Sequence, residues 1–441
     1  MKRLLPLLLC AVLALFCATT AQAAGVSITL TASEYALHYA FDAGAQDPFV
    51  ILEYTTPAEK GWMMLYSADG HFEGDVSLAY SGAGGKTSVA LTSARTTGSI
   101  GKASTTLPKA ADYQKPTGKS NAKVTDFVLT ETPEGFHYAF NAIGTDYMLL
   151  YWRSKEQTVT QPVYPDENGH YEGDVISDLT FARTQFTVQV KSGAGSMKKE
   201  ATVRKGYQAP EAPQRQEGRL SGVTVCIDAG HQENGRFVNE PIGPGLSGST
   251  SGKGGMAQGT KTNRRESIVC LEIGMLLRDE LLRQGANVVM TREDQTTFHT
   301  NIERCEIAEA GGAQIMLRLH CNNSSNRSKR GIQVYGPLNS DYAKAVADAD
   351  TYREMGQKLL DAMKTRVGMT LANSTGMVRL NDNYVGNNWA KMMCFLVEMG
   401  YLSNPAEEYL LVTPVYQQWL AEGMADGVYE IAVARGWVQA Q

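Results

Sequence analysis

Three apolar segments in the C-terminal half of this 441-residue chain each run into a residue that can bind a metal or move a proton. Val223 to Ile227 leads through Asp228, Ala229 and Gly230 to His231, Gln314 to Leu319 leads to His320, and Cys394 to Val397 leads to Glu398. Short runs rich in β-branched and apolar residues read as buried strands. In open α/β sheets the groups that do chemistry gather beyond the carboxyl ends of the strands. Gly230 is expected to make the turn before His231 through a positive φ, with Asp228 as a turn residue. Two imidazoles and a carboxylate on one rim suit a metal ion.

Glu266 supplies the third ligand. Asn263-Arg-Arg-Glu266 also fits a capping box, with Asn263 as N-cap and Glu266 as the reciprocal acid. Beside His231 and His320, a glutamate in the first turn of a helix completes the two-histidine, one-carboxylate set of a catalytic zinc, with a fourth position open to water. His299, the other histidine of this half, sits in a polar loop with no strand to deliver it. A glutamate after four apolar residues is costly to bury unless it is paired or used. Glu398 is therefore read as the general base that takes a proton from water and returns it to a leaving amine.

The elements that must position these residues begin at Gly218. From there strands alternate with longer helical patterns, which predicts an α/β domain over 218–441 with a mostly parallel sheet and helices on both faces. A helix over about 264–284 carries Ile268, Val269, Ile273, Leu276, Leu277 and Leu281 on one broad face. Further helices are expected near 301–310 and 341–366, strands near 286–291 and 331–335, and two more helices after Pro405 and Pro414. Gln232 to Arg265, rich in Gly, Ser, Asn and Thr, is a loop long enough to be functional or mobile.

The N-terminal half contains a repeat. His38-Tyr-Ala-Phe41 returns as His137-Tyr-Ala-Phe140, and Gly70-His-Phe-Glu-Gly-Asp-Val76 as Gly169-His-Tyr-Glu-Gly-Asp-Val175, both 99 positions on (38 to 137, 71 to 170). Two matches at one offset point to duplication. Alternating segments between turn residues predict two all-β, sandwich-like repeats over 24–110 and 119–205, with linkers at 111–118 and 206–217. The repeat histidines, expected beside aromatic partners, are read as structural, and the repeats as binding or spacing modules.

Met1-Lys-Arg3, an apolar run to Phe16 and Ala21-Gln-Ala23 have the layout of a secretory signal peptide over 1–23. No later apolar run reaches membrane length, so a secreted or cell-wall-associated protein without a membrane span is expected. Loss of Lys2 and Arg3 takes the formal charge from -5 to -7, and an acidic chain without a basic tract excludes a nucleic-acid partner. Cys226, Cys270, Cys305, Cys321 and Cys394 are odd in number and sit in apolar contexts, as buried thiols rather than a disulfide framework.

Taken in order, Ile227-Asp-Ala-Gly-His231, the helix-opening Glu266, Thr291-Arg-Glu-Asp294, Leu319-His-Cys-Asn322 and Val397-Glu-Met-Gly-Tyr-Leu-Ser-Asn-Pro405 resemble the zinc-dependent N-acetylmuramoyl-L-alanine amidases of the bacterial cell wall. The resemblance spans residues 223–434. It implies one zinc per chain on His231, Glu266 and His320, Glu398 as catalytic residue, and hydrolysis of the amide between N-acetylmuramic acid and L-alanine in peptidoglycan. It names no substrate-binding residue, and leaves the N-terminal repeats, which could hold wall polymer, outside. Two other functions are weighed. A zinc exopeptidase often needs a paired metal site, for which Asp228 is the sole bridging candidate. A wall-binding protein with an inactive amidase domain is opposed by the complete ligand set.

Overall fold

The computed structural model describes residues 18–440 apart from 22–24, 79–80, 97, 112–121, 133–134, 144–147, 154–157, 164, 177–184, 192–196, 205–209, 233–237, 251–255, 263 and 368–376. Most of the expected signal peptide, the 111–118 linker and parts of the 206–217 linker and of the long loop lie outside the described residues. Ala18–Ala21, inside the expected signal peptide, pairs as a strand with Ile28–Thr31.

The first half is all β. Its strands are β1 (Ala18–Ala21), β2 (Ile28–Ser33), β3 (Ala36–Asp42), β4 (Phe49–Thr55), β5 (Glu59–Tyr66), β6 (His71–Ser77), β7 (Gly85–Ser93) and β8 (Ser99–Leu107). There follow β9 (Lys123–Thr132), β10 (Gly135–Ile143), β11 (Met148–Arg153), β12 (Thr158–Val163), β13 (His170–Ile176), β14 (Gln185–Lys191) and β15 (Met197–Arg204). Inward residues of β3 and β6 stack Phe41 on Phe72, and those of β10 and β13 stack Phe140 on Tyr171, at 4.9 and 4.6 Å between ring centroids. Each stack belongs to its own apolar core. The expectation of two separate sandwiches is corrected, however. One eight-stranded antiparallel sheet, β15-β14-β11-β12-β5-β4-β7-β8, runs through both halves of the segment. Its seam is short: β12 meets β5 at Thr158–Lys60 and Val159–Glu59, and Thr160 N–H donates to Ala58 O at 2.7 Å. Each unit offers an edge strand with unpaired backbone groups, and joining the two edges satisfies them.

The histidines of the matched segments face solvent-side acids, not aromatic rings. Antiparallel pairing sets His38 across from Asp75 and His137 across from Asp174, with Nδ1–Oδ1 distances of 3.0 and 2.9 Å. Sequence spacing hid these partners because they come from the third strand further along the chain.

In the C-terminal domain the elements are β16 (Thr224–Ala229), α1 (Glu266–Arg283), β17 (Asn287–Met290), α2 (Asn301–Ala310), β18 (Ile315–Asn322), β19 (Gln333–Gly336), α3 (Asp341–Val346), α4 (Ala349–Val367), β20 (Met377–Leu380), α5 (Val385–Trp389), β21 (Met393–Tyr401), α6 (Glu407–Leu410) and α7 (Pro414–Ala434). The sheet order is β17-β16-β18-β21-β19-β20. It is mixed rather than purely parallel: β19 runs antiparallel to β21, and every other pair is parallel. The short stretch between β18 and β19 leaves no room for a crossover helix, so the chain turns back on itself, as an antiparallel connection can.

Strand alternation sorts the core. Val225, Ile227, Ile315, Leu317, Phe395 and Val397 share one core with residues of α1, α4 and α7. Cys226, Met316 and Cys394, one residue out of step, pack with Cys305 and Ala308 of α2. The five cysteines of this domain are free and buried. The α7 helix approaches α4 closely because it has Gly423 and Gly427 four residues apart on one side. A Cβ at either would stand 2.7 Å from Met363 Cα or Leu359 Cδ1. The single helix expected over 341–366 is two, broken at the extended Ala347, with Asp348 accepting from Thr351 N–H at 2.8 Å to start α4. Buried on nearly every side, α1 exceeds its expected single apolar face.

Because the seam between the two β units rests on so few paired residues, it should open locally. The Thr160 amide should exchange with solvent about tenfold or more faster than the paired amides of the β4–β5 hairpin. Hydrogen exchange resolved to these segments checks this, and equal protection would mean that the two units unfold as one.

Candidate functional site

His231 stands just past β16, and its backbone is left-handed, with φ of 59°. A non-glycine residue there is strained and persists only where its surroundings hold it. Three carbonyls around it are gripped by two arginines. Arg292 donates to Ala229 O at 2.7 Å and Gly230 O at 2.9 Å, and Arg304 donates to Ala229 O at 3.0 Å and His231 O at 3.2 Å. Gly230 is needed for a different reason from the one expected. It is not at positive φ, but a Cβ on it would lie 2.4 Å from Leu319 O and 2.6 Å from His320 Cε1. Only glycine lets β16 and β18 bring their two histidines this close.

Asp228 is likewise no turn residue. It is buried in β16, bonded to Arg318 at 2.9 Å, to Thr291 Oγ1 at 2.8 Å and to Arg304. Burial opposes its charge, but the Arg304 and Arg318 guanidiniums and the hydrogen bonds from Arg304 and Thr291 outweigh it, holding the carboxyl well below the usual range. This network was missed from sequence, although Arg318 inside an apolar strand was a readable signal.

Glu266 is the first residue of α1. Its N-cap is Arg265 with no side-chain cap bond, so the capping-box alternative fails and the carboxylate is turned to the rim. One oxygen accepts from Ala257 N–H at 2.7 Å. The other, Oε1, accepts from Cys321 N–H at 3.1 Å and faces His320 Nδ1 at 2.9 Å and His231 Nε2 at 3.1 Å. Burial opposes its charge, but the bonds to His231 and His320 prevail and hold the carboxyl well below the usual range.

His231, Glu266 and His320 thus come together as the sequence suggested, with their ligand atoms within 4.8 Å of one another. Such a nitrogen-nitrogen-oxygen set fits a four-coordinate ion such as zinc. His320 Nε2 is buried without a hydrogen-bond partner, and burial pushes this imidazole below its ordinary value, keeping it in the neutral form that binds metals.

Glu398 lies within β21, directly across from His320 of β18. Its Oε2 is buried with no hydrogen-bond partner. Burial, followed by the charge of Glu266, pushes the carboxyl up to about 8. Gln333 is its cross-strand neighbour on β19 and donates to Tyr401 OH at 3.0 Å while accepting from Tyr335 OH at 2.6 Å. These three polar residues were not anticipated, since β19 shows its glutamine only as one position in a short apolar run.

A fold and a rim of this kind define an α/β domain with a candidate metal site. Residues 225–430 match the N-acetylmuramoyl-L-alanine amidase family, and the chain carries a domain of that family. Among similar proteins, the germination-specific N-acetylmuramoyl-L-alanine amidase of Bacillus subtilis (strain 168) is 26% identical over 231 residues, 49% of this chain and 83% of that protein. The Staphylococcus aureus protein named "Probable cell wall amidase LytH" is 27% identical over 218 residues, which are 48% of this chain and 60% of the relative's length. The solved N-acetylmuramoyl-L-alanine amidase of Clostridium difficile 630 is 24% identical, covering 48% of this chain and 96% of that one, with a TM-score of 0.38.

Asp228→Asn should leave two buried guanidiniums facing a neutral partner, at a cost of about 3–5 kcal/mol. The folded carboxyl lies below its ordinary 3.8, so its contribution is full above that pH and lost as pH falls through the folded value. The variant should therefore lose less stability than the parent between about pH 6 and about pH 3. Urea unfolding at both pH values measures this.

Proposed function

We propose that the protein is an exported zinc-dependent amidase that cleaves the bond between N-acetylmuramic acid and L-alanine in peptidoglycan. On this reading the signal peptide over 1–23 is removed, and the catalytic domain acts outside the cytoplasm. The β units at 24–110 and 119–205 contact wall polymer or space the domain from it. The observation that carries the proposal is the juxtaposition of His231, Glu266 and His320 with Glu398 on the neighbouring strand, whose buried Oε2 has no hydrogen-bond partner among the described residues.

His231, Glu266 and His320 would hold one zinc, which when bound supplies Lewis-acid polarisation of the scissile carbonyl and lowers the pKa of a water. The backbone N–H groups of Ala257 and Cys321 fix the Glu266 carboxylate so that it cannot swing away from the two imidazoles. Glu398 takes the attacking water's proton on its carboxylate and returns it to the nitrogen of the departing L-alanine. A carboxyl pushed up to about 8 can hold and release a proton near neutral pH. A cation on the adjacent ligand set shifts it towards the charged form that accepts.

Glu398→Gln keeps the shape but cannot accept the proton, so release of L-alanine amino termini from soluble muropeptides should fall by about two to four powers of ten. Zinc content measured by atomic absorption should stay that of the parent. A folded, zinc-loaded variant within threefold of the parent rate removes Glu398 from the mechanism. In His320→Ala both zinc and turnover should be lost, and full zinc occupancy there overturns the ligand assignment.

A further inference from the structure

The first N-terminal β unit is not tethered beside the amidase domain; it shares that domain's core. In β4, Phe49, Val50, Ile51 and Leu52 are all buried. Val50 and Leu52 point into the unit's own core, whereas Phe49 and Ile51, with Ala94, join the core of the C-terminal domain. Phe49 meets Tyr416 and Trp419 of α7 at ring-centroid distances of 5.9 and 5.3 Å, and Trp62 of β5 meets Tyr409 of α6 at 4.6 Å. Arg330 of the C-terminal domain donates to the carbonyls of Ala94 and Arg95.

One of these contacts, Trp62 on Tyr409, falls on α6, where three consecutive residues reach in three directions. Tyr409 packs on the N-terminal sheet. Glu407 accepts from Tyr401 N–H at 2.8 Å and Gly331 N–H at 2.9 Å, which ties the exit of the strand carrying Glu398 to the start of its neighbour β19. Glu408 accepts from Lys261 N–H at 2.8 Å, Thr262 N–H at 3.2 Å and Thr260 Oγ1 at 3.0 Å, inside the loop that leads into Glu266. Asn404 sets the two glutamates by accepting from Ala406 N–H at 3.0 Å and Glu407 N–H at 3.1 Å. Both carboxylates are buried, and neither touches the metal ligands or Glu398 through any bond described here. Glu407 is bonded to backbone amides, and Glu408 to backbone amides and threonine hydroxyls.

The geometry points to α6 as a brace through which the docked N-terminal unit positions the two working carboxylates, with Glu407 and Glu408 as positioning residues. The unit is then a working part of the catalytic machinery as well as a wall-binding or spacing module. This rests on the reading of Glu266 and Glu398 given above. A helix of four residues has little stability of its own, because helix nucleation is costly. Its place is set by what packs on it, and Trp62 packs against its Tyr409. A displacement of an ångström at a catalytic group is enough to slow a reaction severely.

The test uses the full chain with Trp62→Ala and, separately, Trp62→Ala combined with Trp419→Ala. Hydrogen exchange followed by mass spectrometry reads the peptides containing Lys261 and Thr262, Gly331, and Tyr401, with the β16 peptide as a control for global unfolding. In folded variants exchange in the first three should quicken by about tenfold while β16 stays protected. Turnover of soluble muropeptide should fall by about fivefold or more with KM nearly unchanged, as for a loss felt in the transition state. Trp62→Phe should restore both readouts, since Trp62 Nε1 makes no hydrogen bond and the ring contact is what is needed. Parent-like exchange at the three peptides in a folded Trp62→Ala chain overturns the brace, and so does faster exchange with unchanged turnover. If the parent itself releases no L-alanine, the amidase reading fails, while the exchange data still decide whether docking holds α6.

Discussion

The rim of this domain depends on one buried ion cluster, Asp228 with Arg304 and Arg318. A guanidinium in the core is tolerable only with a charge partner and filled hydrogen-bonding positions. Asp228 supplies the charge, and Arg304 then has donors left to hold the carbonyls of Ala229 and His231. Arg292 completes the grip from the other side. Without these donors, His231 would have no reason to stay in a left-handed conformation that costs it energy. The strained residue that aims an imidazole at the site is thus held by the charge balance beneath it.

Two glutamates near this rim have opposite electrostatic fates, as the division of labour proposed for them requires. Glu266 receives two backbone N–H groups and faces two imidazoles, so its charge is stabilised and it suits a permanent ligand. Glu398 is less deeply buried, but its buried Oε2 has no hydrogen-bond partner among the described residues and it has a negative neighbour, so its proton is held more tightly. Environments that push two carboxyls apart in this way separate a fixed charge from a proton carrier. The difference comes from where each residue sits relative to backbone donors: Glu266 opens a helix beside a strand edge, and Glu398 lies within a strand whose own N–H groups are committed to the sheet.

The same economy of backbone donors joins the two halves of the chain. Glu407 and Glu408 satisfy amide groups at the end of β21, just before β19 and in the loop before α1, and the N-terminal sheet packs on the helix that carries them. The second β unit makes no comparable demand on the amidase core. Its strand β11 alternates between buried and partly exposed residues, where β4 is buried on both faces over Phe49–Leu52. The sequence did not show that contrast, because Met148-Leu-Leu-Tyr-Trp152 is as unbroken an apolar run as Phe49-Val-Ile-Leu52.

What the sequence by itself determined is local and periodic. The β16, β18 and β21 strands, the α2 helix, the Pro-led α7 and the approach of His231, His320 and Glu398 to one edge all follow from apolar runs and from the residues that end them. Those patterns are set by backbone geometry within a few residues. Only the tertiary structure decided what depends on partners far along the chain: the antiparallel β19, the sheet shared by two β units, Asp228 as an ion-cluster centre instead of a turn, and Gly230 as a spacer instead of a left-handed hinge. Each is settled by which strand lies alongside. Pairing free energy is small per contact and is chosen collectively by the burial of the whole sheet, so no single window of sequence records it.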